Sequence, residues 1–409
     1  MMKKSGLAGS VRPTIGSNPG RNRNHNRRVV LDMVRAYGPL GRTEIARRAQ
    51  LTPQAVSNIV DELVGEQMLI ELGRLRSGRG QPPLQFAVNP NGPMTAGVEI
   101  AADHIMTVLI DLSGQIRAQS YRPITATDPA FILPQLRDEI ASIRASVSDD
   151  PVRLLGVGVV MPGPFEIEGM SSVGPATLPG WTGLDVKHTA SQAIGEPVEI
   201  ENDATAAAVG ERLYGAGRHH SSFCFVYFGV GLGLGIIHEG RPLRGAFGNA
   251  GEIGHLGVTP RNRPALYGPE GALERFASLY ALRERLTAAG RPSATIEDLQ
   301  QLHDQQDPIL ADWIAEAADY LAPTIAAIEN LLDPETIIFG GALPDAIIDA
   351  LIAALEPLPV SVATRRARTV PRVIRGQTGQ LTAALGAAAL PMLETITPRL
   401  HVDTRTAPQ

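Results

Sequence analysis

The order of pieces in the first ninety residues constrains this chain more than any other feature. Three short helical segments are followed by two strand-like runs, and the runs flank a basic loop too rich in glycine and proline to be helical. Asn26 suits the cap of a first helix ending at Tyr37, with Val29, Val30, Met33, Val34 and Tyr37 on one face and Gly38-Pro39 as the stop. A second helix fits residues 43–49. Thr52 as cap and Pro53 at the first helical position open a third, whose Val56, Ile59, Val60 and Leu63 form an apolar stripe. Its other face carries Gln54, Ser57, Asn58 and Asp61, short polar side chains able to approach bases in a major groove. Residues 68–75 and 84–88 read as strands around residues 76–83, a basic loop shaped like a wing. Arg74, Arg76 and Arg79 there suit the phosphate backbone or a minor groove. Residues 26–90 are thus predicted to be a winged helix-turn-helix that meets double-stranded DNA through Thr52, Gln54, Ser57, Asn58, Arg74, Arg76 and Arg79. A three-helix unit used for protein contacts is the alternative.

Charge follows the same division. Residues 1–90 hold 14 Lys+Arg against 6 Asp+Glu, whereas the remaining residues hold 23 against 36. Excess cation confined to one end fits phosphate contact at that end only. Residues 1–25, rich in Gly, Asn, Arg and Pro, are expected to be a disordered basic tail. The single cysteine, Cys224, sits in an apolar run and reads as a small core residue rather than half of a disulfide. With no apolar stretch long enough to span a bilayer and no hydrophobic signal core, a cytoplasmic protein without a membrane partner is expected.

From about residue 91 the texture changes to alternating apolar runs and helical segments, the pattern of an α/β domain over residues 91–395, with a short tail at 396–409. Strands are predicted at 95–100, 104–110, 154–160, 198–200, 223–228, 234–238 and 336–339. Helices are predicted at 131–145, 204–213, 310–332, 344–355 and 380–392.

Four local features carry chemistry. Asn202 and Asp203 fall between a strand and a helix, where a carboxylate can take a proton from a sugar hydroxyl and an amide can bind its neighbour; simple N-capping is the alternative. Glycines 229, 231, 233 and 235 let backbone N–H groups approach a phosphate, or else make a tight strand connection. Glu252 and His255, three apart and flanked by glycines, can converge on a polyhydroxylated ligand; a structural histidine is the alternative. Glu274 can add a third carboxylate, or be a solvated helix-start charge.

Together these features resemble the ROK family (repressor, open reading frame, kinase): the stretch from Arg42 to Pro83 carries a resemblance to its DNA-binding half that covers roughly residues 27–88, and residues 92–393 resemble its sugar-kinase domain. The resemblance implies a two-lobed, actin-like ATPase fold after the winged helix. It places Asn202, Asp203, Glu252, His255 and Glu274 on the sugar-binding positions, with Asp203 as the base in the kinases. It also matches Gly229, Val230 and Gly231 to a phosphate loop and Gly340 and Gly341 to the adenosine side. Gly158 to Pro164 and Gly180-Trp181 resemble family landmarks near the sugar cleft. A homodimer or homotetramer is implied as well.

The chain departs from the family in two places. The kinases' Asp-x-Gly-Gly-Thr phosphate loop is here Glu99-Ile-Ala-Ala-Asp103, so Ala101 and Ala102 crowd the backbone and Asp103 puts a carboxylate where a hydroxyl stands; Val230 removes a further hydroxyl. The three cysteines of the family's zinc loop are Ala265, Tyr267 and Ala272, which cannot bind zinc through thiolates. The expectation is a regulator without cofactor, metal or kinase turnover, most simply a repressor of carbohydrate genes released by a sugar or sugar phosphate. An active ATP-dependent sugar kinase with a regulatory DNA-binding domain is the rival, favoured by the intact Asp203.

Overall fold

A computed structural model describes residues 19–74, 84–148, 152–163, 180–181, 183–258, 271–291 and 295–396. The chain divides after Val88 into two compact units.

In the first unit, helices α1 (Pro19–Tyr37), α2 (Arg42–Ala49) and α3 (Pro53–Gly65) accompany strands β1 (Leu40–Gly41), β2 (Leu69–Arg74) and β3 (Leu84–Val88), which form an antiparallel sheet in the order β1-β3-β2. The stripe Val56, Ile59, Val60 and Leu63 is buried, together with Val30, Leu31, Val34, Ile45 and Phe86. Burying one face of each helix is what makes three such short segments stable, since none would hold alone in water. The Thr52 hydroxyl accepts from the Ala55 N–H at 3.3 Å and caps α3 as expected. One expectation is corrected: α1 begins at Pro19, not after Asn26, so residues 19–25 are helix rather than disordered tail. The reason is tertiary. Arg23 and Arg27, one turn apart on α1, pair with Glu62 and Glu66, one turn apart on α3. Arg76, Arg79 and the rest of the expected wing lie outside the described residues.

The second unit contains two five-stranded sheets. The first comprises β4 (Met94–Ile100), β5 (His104–Asp111), β6 (Ile116–Pro123), β7 (Leu154–Met161) and β8 (Val198–Asn202), ordered β6-β5-β4-β7-β8. The second comprises β9 (Phe223–Phe228), β10 (Leu232–His238), β11 (Arg241–Pro242), β12 (Ile337–Gly341) and β13 (Val373–Arg375), ordered β11-β10-β9-β12-β13. Each sheet is an antiparallel three-stranded meander followed by two parallel strands, so one topology occurs twice. Helices α4 (Pro129–Ala145) and α5 (Val186–Ile194) belong to the first lobe. Helices α7 (Glu274–Ala277), α8 (Leu279–Ala288), α9 (Ile296–Asp304), α10 (Pro308–Leu332) and α11 (Asp345–Ala354) belong to the second.

Two alanine-rich helices, α6 (Asp203–Tyr214) and α12 (Thr382–Ile396), join the lobes. Their residues share a core cluster with Val160 of the first sheet and Phe223, Phe225 and Ile338 of the second. Contact is made through bare backbone. A Cβ on Gly97 or Gly158 would sit 2.1 and 1.8 Å from carbonyl oxygens of α12, and one on Gly386 would sit 1.8 Å from the Ala206 carbonyl of α6. Gly235 of β10 meets the Ala204 carbonyl of α6 in the same way. Cys224 is buried and free, and burial pushes its thiol up to about 12, which matches the core role expected of it.

Candidate functional site

The site is assembled where β8 ends and α6 begins. Asn202 is the N-cap: its Oδ1 accepts from the N–H groups of Ala204 at 2.9 Å and Thr205 at 3.2 Å. The capping role expected as the alternative for this pair therefore falls to Asn202, whose Nδ2 is left on the Gly163 side. Asp203 is the first residue of the helix, and its Oδ1 accepts from the Ala204 N–H at 2.7 Å. Gly163, described at the end of the run that follows β7, explains why the chain is bare at that point. A Cβ there would lie 2.7 Å from Asn202 Nδ2 and 2.8 Å from Glu252 Oε1. Those two polar atoms therefore flank one spot from β8 and from the loop after β11.

Glu252 precedes a short 3-10 turn, Ile253–His255, that turns His255 back toward it. His255 Nε2 lies 3.6 Å from Glu252 Oε2, and its Nδ1 lies 3.8 Å from Glu274 Oε1. Neither contact is short enough for a strong hydrogen bond. Glu274 is buried at the start of α7 and so is not the solvated charge offered as its alternative. A side chain on Gly254 would meet Glu274 Oε2 at 3.0 Å and the Leu232 carbonyl at 2.4 Å, so the turn that presents His255 needs glycine for room. Asn202, Glu252, His255 and Glu274 are thus brought together, with Asp203 beside them.

Burial first, and then the neighbouring Glu99 and Glu252 carboxylates, push Asp203 up to about 8, against the pull of the Ala204 N–H. Burial and Glu274 push Glu252 up to about 7. The folded protein therefore holds these protons more tightly than the unfolded chain, where Asp203 has an ordinary value of 3.8. Stability should fall as pH rises from about 4 and reach its full cost above about 8. Asp203→Asn is expected to lose less stability than wild type between about pH 5 and about pH 9, read as urea midpoints. Parallel pH dependences for the two proteins would show that Asp203 is not held protonated.

Beside Asp203 opens a cavity of about 560 Å³. Glu99, Ala101, Ala102, Asp103, Gly229, Val230 and Gly231 line it, but Gly340 and Gly341 do not; these pack in β12 against Phe225 and Phe228. The turn from β4 to β5 is closed on itself, because Ala101 N–H donates to the His104 carbonyl at 2.9 Å. Tyr227 OH donates to Glu99 Oε1 at 2.8 Å, and burial raises the Glu99 carboxyl above the usual carboxylate range. Asp103 accepts from His104 Nδ1 at 2.7 Å and pairs with Arg283 at 3.4 Å. Gly163 falls in the run Gly158 to Pro164 expected near the sugar cleft, whereas Tyr227, Arg283 and Arg244 (paired with the buried Glu201) were not foreseen from the sequence. Their partners are far away in the chain, which leaves no local signal. Trp181 is buried in the first lobe and donates to the Thr127 carbonyl at 2.6 Å. Among the described residues no three His, Cys, Asp or Glu side chains are grouped to hold a metal. Ala272 is buried, while Ala265 and Tyr267 lie outside the described residues.

On the first unit, Gln54 and Asn58 are exposed on α3 and bonded to each other at 3.1 Å. Thr52 is exposed at the cap. Ser57 is half-buried and accepts from Arg42 Nη1 at 3.2 Å; the same guanidinium reaches Asp61 at 2.5 Å and lies over the Phe86 ring. Arg74 ends β2.

Comparison with known proteins adds the following. The model of the ROK family matches residues 95–393. The xylose repressor of Bacillus subtilis (strain 168) is 26% identical over 340 residues, covering 83% of this chain and 87% of that protein. A ROK family transcriptional regulator, a homologue of the E. coli MLC protein, superposes with a TM-score of 0.70 over 92% of this chain and 98% of its own at 23% identity, a likeness of fold. The ROK hexokinase of Thermus thermophilus superposes with a TM-score of 0.56 at 26% identity, covering 74% of this chain and 98% of its own. No helix among the described residues is long and apolar enough to cross a membrane.

Proposed function

This chain belongs to the ROK family, and from that premise we propose that it is a sugar-responsive transcriptional repressor: a winged helix-turn-helix reads DNA and the α/β unit senses a sugar. The observation that carries this reading is the convergence of Asn202, Glu252, His255 and Glu274 on one spot next to Asp203. An amide, an imidazole and carboxylates in a half-buried site supply the fixed donors and acceptors that a ring of hydroxyls requires. Sugar binding then closes the two lobes and changes how a dimer presents its recognition helices to a palindromic operator. That coupling requires the sugar to bind the DNA-bound and free forms unequally.

The cavity lining supports a sensor over a kinase. A bound nucleotide would need backbone N–H groups and cations aimed at its phosphates. Here the Ala101 N–H is spent within its own turn, Arg283 is paired with Asp103, and Glu99 points into the space. The residues do not fit a nucleotide polyphosphate, and Ala272 cannot serve as a zinc thiolate. The rival kinase reading rests on Asp203 and on the kinship with the Thermus hexokinase. A coupled assay with ATP, Mg²⁺ and a sugar panel separates the two, since turnover lost in Asp203→Asn would establish the kinase.

A thermal-shift screen against free sugars, followed by gel-shift titration on DNA, tests the sensor. One sugar is expected to raise the melting temperature and to release the DNA. No shift with any sugar would sink the reading. On the DNA side, Gln54→Ala combined with Asn58→Ala is expected to weaken binding about 10-fold or more to an oligonucleotide that the wild type selects from a random pool. Unchanged affinity would move recognition away from this face of α3.

A further inference from the structure

Asp203 is the one proposed sugar-contacting residue that also lines the 560 Å³ cavity. A sugar held by Asn202, Glu252 and His255 therefore presents one hydroxyl to Asp203 and, past it, to that cavity. What stands there bears on the effector. Glu99 is 7% exposed and held by the Tyr227 hydroxyl, so its carboxyl cannot swing away without breaking a buried hydrogen bond. The two cationic side chains on the lining, Arg283 and His104, both engage Asp103 at 3.4 and 2.7 Å, and the His104 ring is stacked on Tyr121. A phosphoryl group in this space would give up its hydration while facing carboxyl groups, with both lining cations already occupied.

We propose that Glu99 is a specificity determinant that bars a phosphoryl group from the sugar hydroxyl facing Asp203, so that the effector is a free sugar and not its phosphate ester. The inference rests on the sugar-sensing reading above. Rejection comes from the fixed position of the Glu99 carboxyl, which repels a phosphoryl group whenever it is ionised, and not from lack of space, because the cavity has the volume of an ordinary small-molecule site. Tyr227 is a positioning residue here: it fixes Glu99 and need not touch the sugar.

The test is calorimetric titration of the full chain with glucose, mannose and N-acetylglucosamine, each beside its 1-phosphate and 6-phosphate. For a sugar that binds, at least one of the two esters is expected to bind about 100-fold more weakly than the parent. Glu99→Gln keeps the shape and an oxygen for the Tyr227 hydroxyl, and is expected to recover about 10-fold or more of the rejected ester's affinity relative to the parent sugar. Tyr227→Phe keeps the carboxylate and is expected to recover less than Glu99→Gln. Both esters binding within about 3-fold of the parent, or a rejected ester not rescued by Glu99→Gln, overturns the proposal and leaves the sugar-sensing reading standing. If no free sugar and no ester binds, the sensor reading itself fails, and this inference with it.

Discussion

A valine in place of Gly158 is expected to cost the α/β unit about 3 kcal/mol or more, the largest stability effect foreseen here. The added Cβ alone would lie 1.8 Å from the Ala387 carbonyl of α12 and 2.5 Å from its carbon, and backbone on both sides leaves nothing flexible to yield. Gly386→Val is expected to behave alike, because its Cβ would meet the Ala206 carbonyl of α6. Gly65→Ala is the control, since a Cβ there meets nothing within 4 Å. Urea denaturation followed by circular dichroism reads the difference. A Gly158→Val protein as stable as the control would mean that α12 does not rest on β7 at all.

The second large effect concerns binding. Glu252→Ala is expected to weaken the sugar by about 100-fold, the worth of one or two hydrogen bonds to a charged group. It should also abolish sugar-dependent release of DNA. Removing this carboxylate takes away one of the two acids that flank His255 and the neighbour of the Asn202 amide, so two of the site's polar groups lose a partner together. Isothermal titration with the sugar found by thermal shift measures the loss. Affinity within about 3-fold of wild type, with an unaltered melting temperature, would place the sugar elsewhere.

Those elements that announce themselves locally were legible in the sequence. Phe223–Phe228 is a continuous apolar run buried on both faces, and α10 carries 25 residues with a proline at its start. Both follow directly from pattern and capping. By contrast, β6 has the burial of an edge strand, with no fully buried position and with Gln119, Tyr121 and Pro123 exposed, and its sequence IRAQSYRP is too polar to stand out. Strand β13 is three residues long and exists because β12 offers it a parallel partner. The start of α1 depended on two glutamates some forty residues away. The site divides in the same manner. Asn202-Asp203 and Glu252-Ile-Gly-His255 are compact enough to be noticed, although their joint meaning came from resemblance. The Tyr227 hydroxyl on Glu99 and the Arg283 guanidinium on Asp103 join residues 128 and 180 positions apart, and no periodicity encodes such pairs.

The way α6 is mounted has one more consequence. Its N-cap and first residue carry the Asn202 amide and the Asp203 carboxyl, its middle crosses α12 with carbonyl against glycine, and its flank rides on the glycines of β10. Without interlocking side chains at the crossing there is no ratchet to climb, whereas pulling the helices apart would open a void in the shared core. The joint therefore behaves as an axle: it permits rotation and resists sliding. On the sugar-sensing proposal, a tug of a few tenths of an ångström on Asp203 would be delivered as torque to both sheets at once, so that a small ligand at one helix end could turn a whole lobe.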